Sequence, residues 1–237
     1  MLTGHYWFFV ALEVNSLLWA VHGSWPSDLH DAITRAMVSK MRNSCNLKLL
    51  FNEINADSFR FNGGKNTSFF KKMFDFFRYP NFKCLILYRI CKYLKNCKLL
   101  KYTVFPFAYV YHITCSNKYG IIIPLNATIG PGIRIEHFGG IIFNNQIIIG
   151  KNCNIHNDVV FGYIPRGNKK GSPISIGNNT YIGPGAKLLG SIVVGDNVVI
   201  GANTVVTKDI PDNCTVFGIP GRIISKSGSD EYITVRT

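Results

Sequence analysis

Residues 174–206, ISIGNNTYIGPGAKLLGSIVVGDNVVIGANTVV, carry an aliphatic residue at every sixth position. The same spacing occurs earlier in the chain, in two shorter runs separated by a slip of two residues. Neither the period of 3.6 of a helix nor the period of two of a strand gives a strict repeat of six. A hexapeptide repeat is typical of a parallel β-helix, in which short strands stack coil on coil and one residue per strand points inward. The inward anchors are Ile129, Ile135, Ile141, Ile149, Ile155, Phe161, Ile176, Ile182, Leu188, Val194, Ile200 and Val206.

Glycine follows many of these anchors, as in Ile176-Gly177 and Ile200-Gly201. A corner after each strand must turn tightly, and glycine tolerates backbone angles that other residues resist. An antiparallel sandwich is the alternative, but twelve anchors in three in-phase runs disfavour it. Residues 121–224 suffice for about five coils of three sides each, with one excursion at residues 162–173.

The chain divides into four predicted parts. Residues 1–40 form an N-terminal extension of uncertain status, because translation starting at Met37 or Met41 is a competing hypothesis. A membrane anchor in residues 4–25 is not favoured, since Glu13 interrupts the apolar run. Residues 41–118 are predicted to form a basic α-helical domain with helices over residues 47–57, 69–77, 84–100 and 102–113. Residues 119–225 are assigned to the β-helix, and residues 226–237 to a C-terminal tail.

Charge is unevenly distributed along the chain. The net charge is +13, and residues 41–118 hold 14 Lys and Arg against three acidic residues. A basic region favours an anionic partner such as a polyanion, a phospholipid surface or a pyrophosphate-linked glycan. The alternative is solubility charge on a solvated face. The basic region contains no motif of a known nucleic-acid-binding domain, so nucleic acid is not expected as a partner.

Seven cysteines without a C-x-x-C pair indicate a reduced, cytoplasmic set rather than a disulfide framework or a zinc site.

Several segments resemble the hexapeptide acyltransferases. IGPGAKLLGSI at 182–192 and VGDNVVIGANTVVTKDIP at 194–211 are similar to the last coils of the serine O-acetyltransferases and their relatives. FGIPGRI at 217–223 resembles the segment that leaves the last coil, and EHFGGII at 136–142 resembles the catalytic Asp-His-x-x-Gly-Ile segment. The resemblance covers roughly residues 80–224. It implies a mainly β fold, a left-handed parallel β-helix with an N-terminal α-helical region, and a homotrimer with sites between subunits.

The resemblance makes His137 the candidate general base. Acetyl transfer from a thioester to a hydroxyl needs a group that takes the hydroxyl proton, and a neutral imidazole suits this near neutral pH. Glu136, the preceding residue, is a candidate to orient the imidazole. His156 is the competing histidine. It follows the inward anchor Ile155, so we expect it to point outward and to face solvent or the acceptor.

Acetyl-CoA is the implied donor, and the family lays its pantetheine arm along coil edges. Gly183, Gly201 and Ala202 would allow close backbone approach, while Lys208 and Arg222 would meet the phosphates. Simple turn formation is the alternative role for the glycines. The sequence shows no metal-ligand cluster, so no metal is expected.

The acceptor is predicted from two differences between this chain and the serine acetyltransferases. Serine acetyltransferases carry an Asp about fifteen residues before the base, and this chain has Ile122 at that position. They also carry a second His after the loop, and the corresponding place in this chain is near Gly171-Ser172. Their loss favours a sugar hydroxyl, and the closest resemblance is to the branch that acetylates capsular, O-antigen and colanic-acid-type polysaccharides. That resemblance lies in His137, residues 141–143, Asn144-Asn145 and Pro165-Arg166-Gly167.

The sequence therefore predicts an acetyl-CoA-dependent O-acetyltransferase acting on a bacterial surface polysaccharide or its precursor. It would be cytoplasmic, with a peripheral contact to the inner face of the membrane as a further hypothesis. Two alternatives stay open: a serine O-acetyltransferase of cysteine biosynthesis, and a non-catalytic β-helix scaffold that binds glycan or membrane. The predicted acceptor-binding residues are Asn145, His156, Arg166, Lys169 and Lys170.

Overall fold

The computed structural model describes residues 46–163 and 173–237. The predicted extension at residues 1–40 lies outside the described residues, as do Arg166, Lys169 and Lys170. Within the described residues, five helices precede the strands: α1 Leu47–Phe61, α2 Phe69–Arg78, α3 Pro80–Asn96, α4 Leu100–Thr103 and α5 Phe105–Tyr119.

Local signals explain where these helices begin. The side chain of Asn46 accepts a hydrogen bond from the backbone N–H of Leu49 at the start of α1, and Ser68 does the same for Lys71 in α2. Pro80 occupies the first turn of α3, where its missing N–H and fixed φ cost nothing. The sequence placed this helix four residues too late, because proline was interpreted only as the end of the preceding helix. It also ended α1 too early, near Asp57.

The described residues of the β-helix contain fifteen short strands. They are β1 Ile121–Ile122, β2 Thr128–Ile129, β3 Arg134–Ile135, β4 Ile141–Ile142, β5 Ile148–Ile149, β6 Asn154–Ile155, β7 Val160–Gly162, β8 Ser175–Ile176, β9 Tyr181–Ile182, β10 Lys187–Leu189, β11 Val193–Val194, β12 Val199–Ile200, β13 Val205–Val206, β14 Thr215–Phe217 and β15 Arg222–Ser225.

Three sheets form the sides of the solenoid. Sheet A has the order β1-β4-β7-β10-β13, sheet B β2-β5-β8-β11 and sheet C β3-β6-β9-β12-β14-β15. The chain visits them in rotation, so that the five strands of sheet A correspond to five coils. All pairs are parallel except β14 with β15, which is antiparallel and finishes sheet C.

Inward anchors stack directly on one another through the core. In sheet B, Ile129 pairs with Ile149, Ile149 with Ile176 and Ile176 with Val194. All twelve predicted anchors are buried, and none is more than 3% exposed. The predicted repeat and its phase are confirmed.

Asparagines build one corner of the solenoid, the one between sheets B and C. Asn179, Asn197 and Asn213 all adopt positive φ of 52–57°, a region that asparagine tolerates better than most residues. Their side chains form a ladder, with Asn179 donating to Asn197 at 3.0 Å and Asn197 donating to Asn213 at 3.1 Å. The ladder joins the turns of successive coils through their side-chain amides.

Two buried arginines fasten the helices to the first coils. Arg89 of α3 donates to the carbonyls of Ile129 at 2.6 Å and Gly130 at 2.5 Å, and it pairs with Asp57 of α1 at 3.0 Å. Arg60 of α1 donates to the carbonyl of Gly132 at 2.6 Å. Each guanidinium satisfies corner carbonyls that the stack leaves exposed at its first coil.

The C-terminal tail, residues 226–237, returns from the last coil to the first. Ser229 Oγ donates to the carbonyl of Asn179 at 2.5 Å, and the side chain of Ile233 is buried. At the far end the backbone N–H of Thr237 donates to Asn152 at 3.1 Å, and the carbonyl of Val235 accepts from Arg60 at 2.8 Å. The tail therefore lies along the solenoid.

The cysteines differ in part from the prediction. Cys97 is disulfide-bonded, so the expectation of a wholly reduced set is wrong. The number and spacing of cysteines in the sequence do not predict this disulfide, because the fold determines which thiols lie close together. The free cysteines are buried, and they are Cys84, Cys91, Cys115, Cys153 and Cys214.

Within residues 46–163 and 173–237, the helices are too short or too polar for any of them to cross a bilayer.

Candidate active site

The turns that connect sheet C to sheet A, here called the C–A corner, hold six of the nine predicted site residues that the structure describes. The backbone N–H of Glu136 donates to the carbonyl of Ile155, and that of His156 to the carbonyl of Ile182. Gly183 and Gly201 continue the same column in the next coils. Adjacent strands lie about 4.8 Å apart, so the column sets these residues in a line along the solenoid.

His137 is the exposed residue at the start of this line. Its ring centroid lies 6.4 Å from that of His156. The turn after His137 contains Gly139 and Gly140, both with positive φ, and a Cβ on Gly140 would overlap the carboxylate of Asp158. The glycines thus hold the turn against the next coil and leave the imidazole projecting from it.

Glu136 is committed to an ion pair rather than to the imidazole. Its Oε1 lies 2.9 Å from Nε of Arg134, two residues earlier on the same outer face. The backbone carbonyls of Ile135 and Glu136 both accept hydrogen bonds from the amide of Asn81, at 2.6 and 3.2 Å. The first turn of α3 therefore fixes the backbone that carries the histidine. A role for Glu136 in orienting His137 stays a prediction.

A cavity of about 480 Å³ opens beside His137, between the helices and the first coil. Its volume is within the range of small-molecule sites. Arg134 and Glu136 supply opposite charges at its wall, and Lys71 of α2 also lines it, with its ammonium paired to Asp75. The complete lining is Phe61, Asn62, Lys71, Tyr79, Pro80, Asn81, Arg134, Ile135, Glu136, His137 and Phe138.

His156 is half-buried rather than fully solvated. Its ring packs against Tyr181, with centroids 5.0 Å apart, and Tyr181 packs against Tyr232 of the tail at 4.8 Å. Burial lowers the pKa of His156 below its ordinary value; His137 and Arg134 act in the same direction, while Glu136 opposes them. The imidazole next to the candidate base is thus held in its neutral form.

The sequence analysis missed both tyrosines. Tyr181 precedes the anchor Ile182, so it had to face outward, and its register with Asn154 and Arg134 places it on the face that carries His156. That signal was present in the repeat. Tyr232 lies in a tail without periodicity, and nothing in the sequence indicated where the tail would pack.

The glycines of the predicted donor site serve the stacking of coils. A Cβ on Gly183 would lie 2.8 Å from the backbone nitrogen of Ala202, and one on Gly201 would overlap the ring of Phe217. These contacts explain the glycines without a ligand. Gly183, Gly201 and Ala202 nevertheless share the C–A corner with His137, and Arg222 pairs with Phe217 at its far end.

Two predicted residues lie elsewhere. Asn145 follows β4 and Lys208 follows β13, so both are in turns that connect sheet A to sheet B. Sheet A separates these turns from His137 within one chain. No group of three or more His, Cys, Asp or Glu side chains that could hold a metal ion occurs in the described part of the chain.

Comparison with known proteins identifies the repeat. Residues 173–208 match the family model for the bacterial transferase hexapeptide (six repeats). Among solved structures, serine acetyltransferase from Brucella abortus superposes with a TM-score of 0.59 at 26% identity, over 77% of this chain and 70% of that one. The soybean serine acetyltransferase apoenzyme gives 0.61 at 26% identity, over 75% and 69%. The fold is the left-handed parallel β-helix with an N-terminal helical region.

Two curated proteins similar to this chain are serine acetyltransferases. That of Synechococcus elongatus is 38% identical over 150 residues, which are 63% of this chain and 59% of the relative. That of Buchnera aphidicola is 34% identical over 145 residues, 61% and 54%. The chain thus spans between about half and three fifths of the length of these relatives.

These relatives contradict the predicted polysaccharide acceptor. The prediction relied on Ile122 and on the missing histidine near Gly171-Ser172, and neither departure separates the chain from proteins named serine acetyltransferase. The prediction considered only the polar side chains missing from the compared segments, and other elements of the fold supply polar side chains of their own. Arg134 and Lys71 lie in the cavity beside His137, although neither belongs to the segment used for the comparison.

Proposed function

We propose that this protein is an acetyl-CoA-dependent serine O-acetyltransferase and that His137 is its general base. The observation that carries the proposal is the position of the exposed imidazole at a cavity whose wall presents an Arg134–Glu136 pair. Serine is a zwitterion, so a wall of paired opposite charges suits it better than it suits a neutral sugar. The relatives named above support the same reaction.

The proposed reaction needs one proton carrier. His137, as the neutral imidazole, takes the hydroxyl proton of serine while the oxygen attacks the thioester carbonyl. The tetrahedral intermediate collapses with cleavage of the carbon–sulfur bond, and the imidazolium returns its proton to the departing thiolate. Backbone N–H groups of the corner would stabilise the oxyanion. The products are O-acetylserine and CoA.

The donor would lie along the C–A corner. A solved serine acetyltransferase in complex with CoA superposes with a TM-score of 0.60 at 26% identity, over 75% of this chain and 71% of that one. Gly183, Gly201 and Ala202 leave the edge of the coils free of bulky side chains, and Arg222 offers a cation at its far end. Asn145 and Lys208 would contribute from a neighbouring copy, as in a homotrimer with sites between subunits.

Acetyl-CoA is an intracellular carrier, which assigns the proposed activity to the cytoplasm. The comparisons give no support to the hypothesis of a peripheral membrane contact.

A thiol-release assay tests the proposal. We expect CoA release with L-serine, and O-acetylserine as the product by mass spectrometry. Serine methyl ester and N-acetylserine keep the hydroxyl but each lacks one charge, so both should be much poorer acceptors. Release that does not exceed the rate without acceptor would overturn the proposal and favour a non-catalytic scaffold.

A further inference from the structure

The rings of Tyr232, Tyr181, His156 and His137 form a continuous row on the outer face of sheet C. Successive centroids are 4.8, 5.0 and 6.4 Å apart. Three of the four residues come from successive coils, but Tyr232 comes from the tail, roughly 95 residues after His137 in sequence. The tail therefore reaches the candidate base through two intermediate rings.

The tail has anchors on both sides of Tyr232. Before it, Ser229 is buried and its hydroxyl donates to Asn179. After it, Ile233 is buried and the carbonyl of Val235 accepts from the buried guanidinium of Arg60. Tyr232 itself is 43% exposed. Its backbone is held by its neighbours, so its ring covers Tyr181 without being needed to attach the tail.

We propose that Tyr232 is a positioning residue: through Tyr181 it holds the ring of His156 beside His137, and the C-terminal tail thereby completes the active site. The kinetic part of this inference rests on the proposed function. No part of it requires Tyr232 to touch a substrate.

The charge of His156 matters for catalysis because His156 lies beside the candidate base. The groups that face His156 are Glu136, His137 and Arg134 from the first coil, Tyr181 from β9 and Tyr232 beyond it. When His137 accepts the hydroxyl proton it becomes a cation, and a second imidazolium beside it would oppose that step. Tyr181 packs against His156 and is itself covered by Tyr232, and burial favours the neutral form of His156, so no second imidazolium stands beside His137 during that step.

The test uses the full chain and three variants. Tyr232→Ala removes the ring, Tyr232→Phe keeps it without the hydroxyl, and Glu231→Ala alters an exposed neighbour on the same tail. We expect Tyr232→Ala to lower kcat by about tenfold, since small displacements at a reacting centre cost that much or more. KM for acetyl-CoA and the melting temperature should stay unchanged. Tyr232→Phe and Glu231→Ala should match the parent protein.

A second measurement is independent of activity. The titration of His156 is followed by NMR on histidine-labelled protein, with the signal assigned from the spectrum of His156→Gln. The midpoint should rise in Tyr232→Ala and stay in place in Tyr232→Phe. An unchanged midpoint in Tyr232→Ala overturns the inference, whatever happens to kcat. If Tyr232→Ala does not fold, Tyr232→Leu serves instead, with the same rise expected and an unchanged midpoint again overturning it.

The two measurements separate this inference from the proposed function. A parent protein that does not acetylate serine refutes the function, yet the NMR titration still decides whether the tail controls His156. Normal serine acetylation with an unshifted His156 refutes the tail inference alone.

Discussion

His137 contributes little to the fold, because its side chain is exposed and its turn is held by neighbouring glycines. We expect His137→Ala to lower kcat by roughly 10²–10⁴-fold, the usual contribution of a general base. The melting temperature should not change. His156→Ala is the matched variant and should lose less activity. If His156→Ala is the inactive protein and His137→Ala retains most of its rate, the assignment of the base is reversed.

At this scale the sequence offers candidate residues but not their contacts. The resemblance of residues 136–142 to a catalytic segment singled out His137, and its role as the base stays a prediction. The Arg134–Glu136 pair was not predicted, since the sequence analysis considered Glu136 only as a partner of His137 and the backbone geometry decides which side chain it meets. The hydrogen bonds from Asn81 join residues 54 positions apart, and no local pattern reports such a contact.

At the scale of the strand, two neighbouring residues that face opposite sides of the sheet can be compared directly. Val194 is 1% exposed and its neighbour Val193 is 38% exposed, so they face opposite sides of β11. Val194→Asp would bury an unpaired carboxylate between Ile176 and Ile210, at a cost of several kcal/mol in the free energy of unfolding. Val193→Asp should cost far less. Urea unfolding of both variants measures the difference, and equal stabilities would show that the phase of the repeat is wrong.

Helix α5 carries a buried histidine that makes stability depend on pH. Nε2 of His112 lies 3.1 Å from the carbonyl of Ile123, while its Nδ1 is buried without a partner. Burial lowers the pKa of His112 below 6.5 and outweighs the opposing effect of the Ile123 hydrogen bond. As the pH falls through about 6.5, the unfolded chain takes up a proton that the folded chain resists, so stability falls.

His112→Gln can keep the hydrogen bond to Ile123 but cannot titrate. We expect its free energy of unfolding to change less between pH 7.5 and pH 5.5 than that of the parent protein, as measured by urea denaturation. His156 has a shift of the same sign but is present in both proteins, so the difference isolates His112. Parallel pH profiles would contradict the assignment.

Elements with a regular sequence repeat were predicted more accurately than elements without one. The coils repeat every six residues, and all twelve anchors occupy the expected positions. The helices have no comparable repeat, so their existence was predicted but the start of α3 at Pro80 was not. The packing of the tail could not be predicted, because its contacts with Asn152, Asn179 and Arg60 depend on a solenoid that must already be folded.

In the molecule as a whole, the pair of Arg89 and Asp57 connects the helices with the coils. Both side chains are at most 2% exposed, and Arg89 also satisfies two carbonyls of the first coil. Arg89→Met leaves the carboxylate of Asp57 buried and unpaired, which typically costs about 3–5 kcal/mol. We therefore expect a large loss in the free energy of unfolding, measured by chemical denaturation.

The double variant Arg89→Met with Asp57→Leu provides the control. It removes the stranded carboxylate, so it should recover part of the lost stability. A double variant less stable than Arg89→Met would show that the hydrogen bond from the backbone N–H of Ile133 to Asp57 outweighs the cost of the unpaired carboxylate.

The antiparallel strand β15 has a consequence for solubility. A stack of parallel strands has an open edge at its last coil, and such an edge is a template on which further chains can add and grow into fibres. In sheet C that edge is occupied by β15, whose direction is opposite to that of the stack and which therefore cannot be extended in register by another coil. The hairpin thus protects the protein against end-to-end polymerisation, and a chain that loses β15 would be expected to aggregate in solution even if its remaining coils were intact.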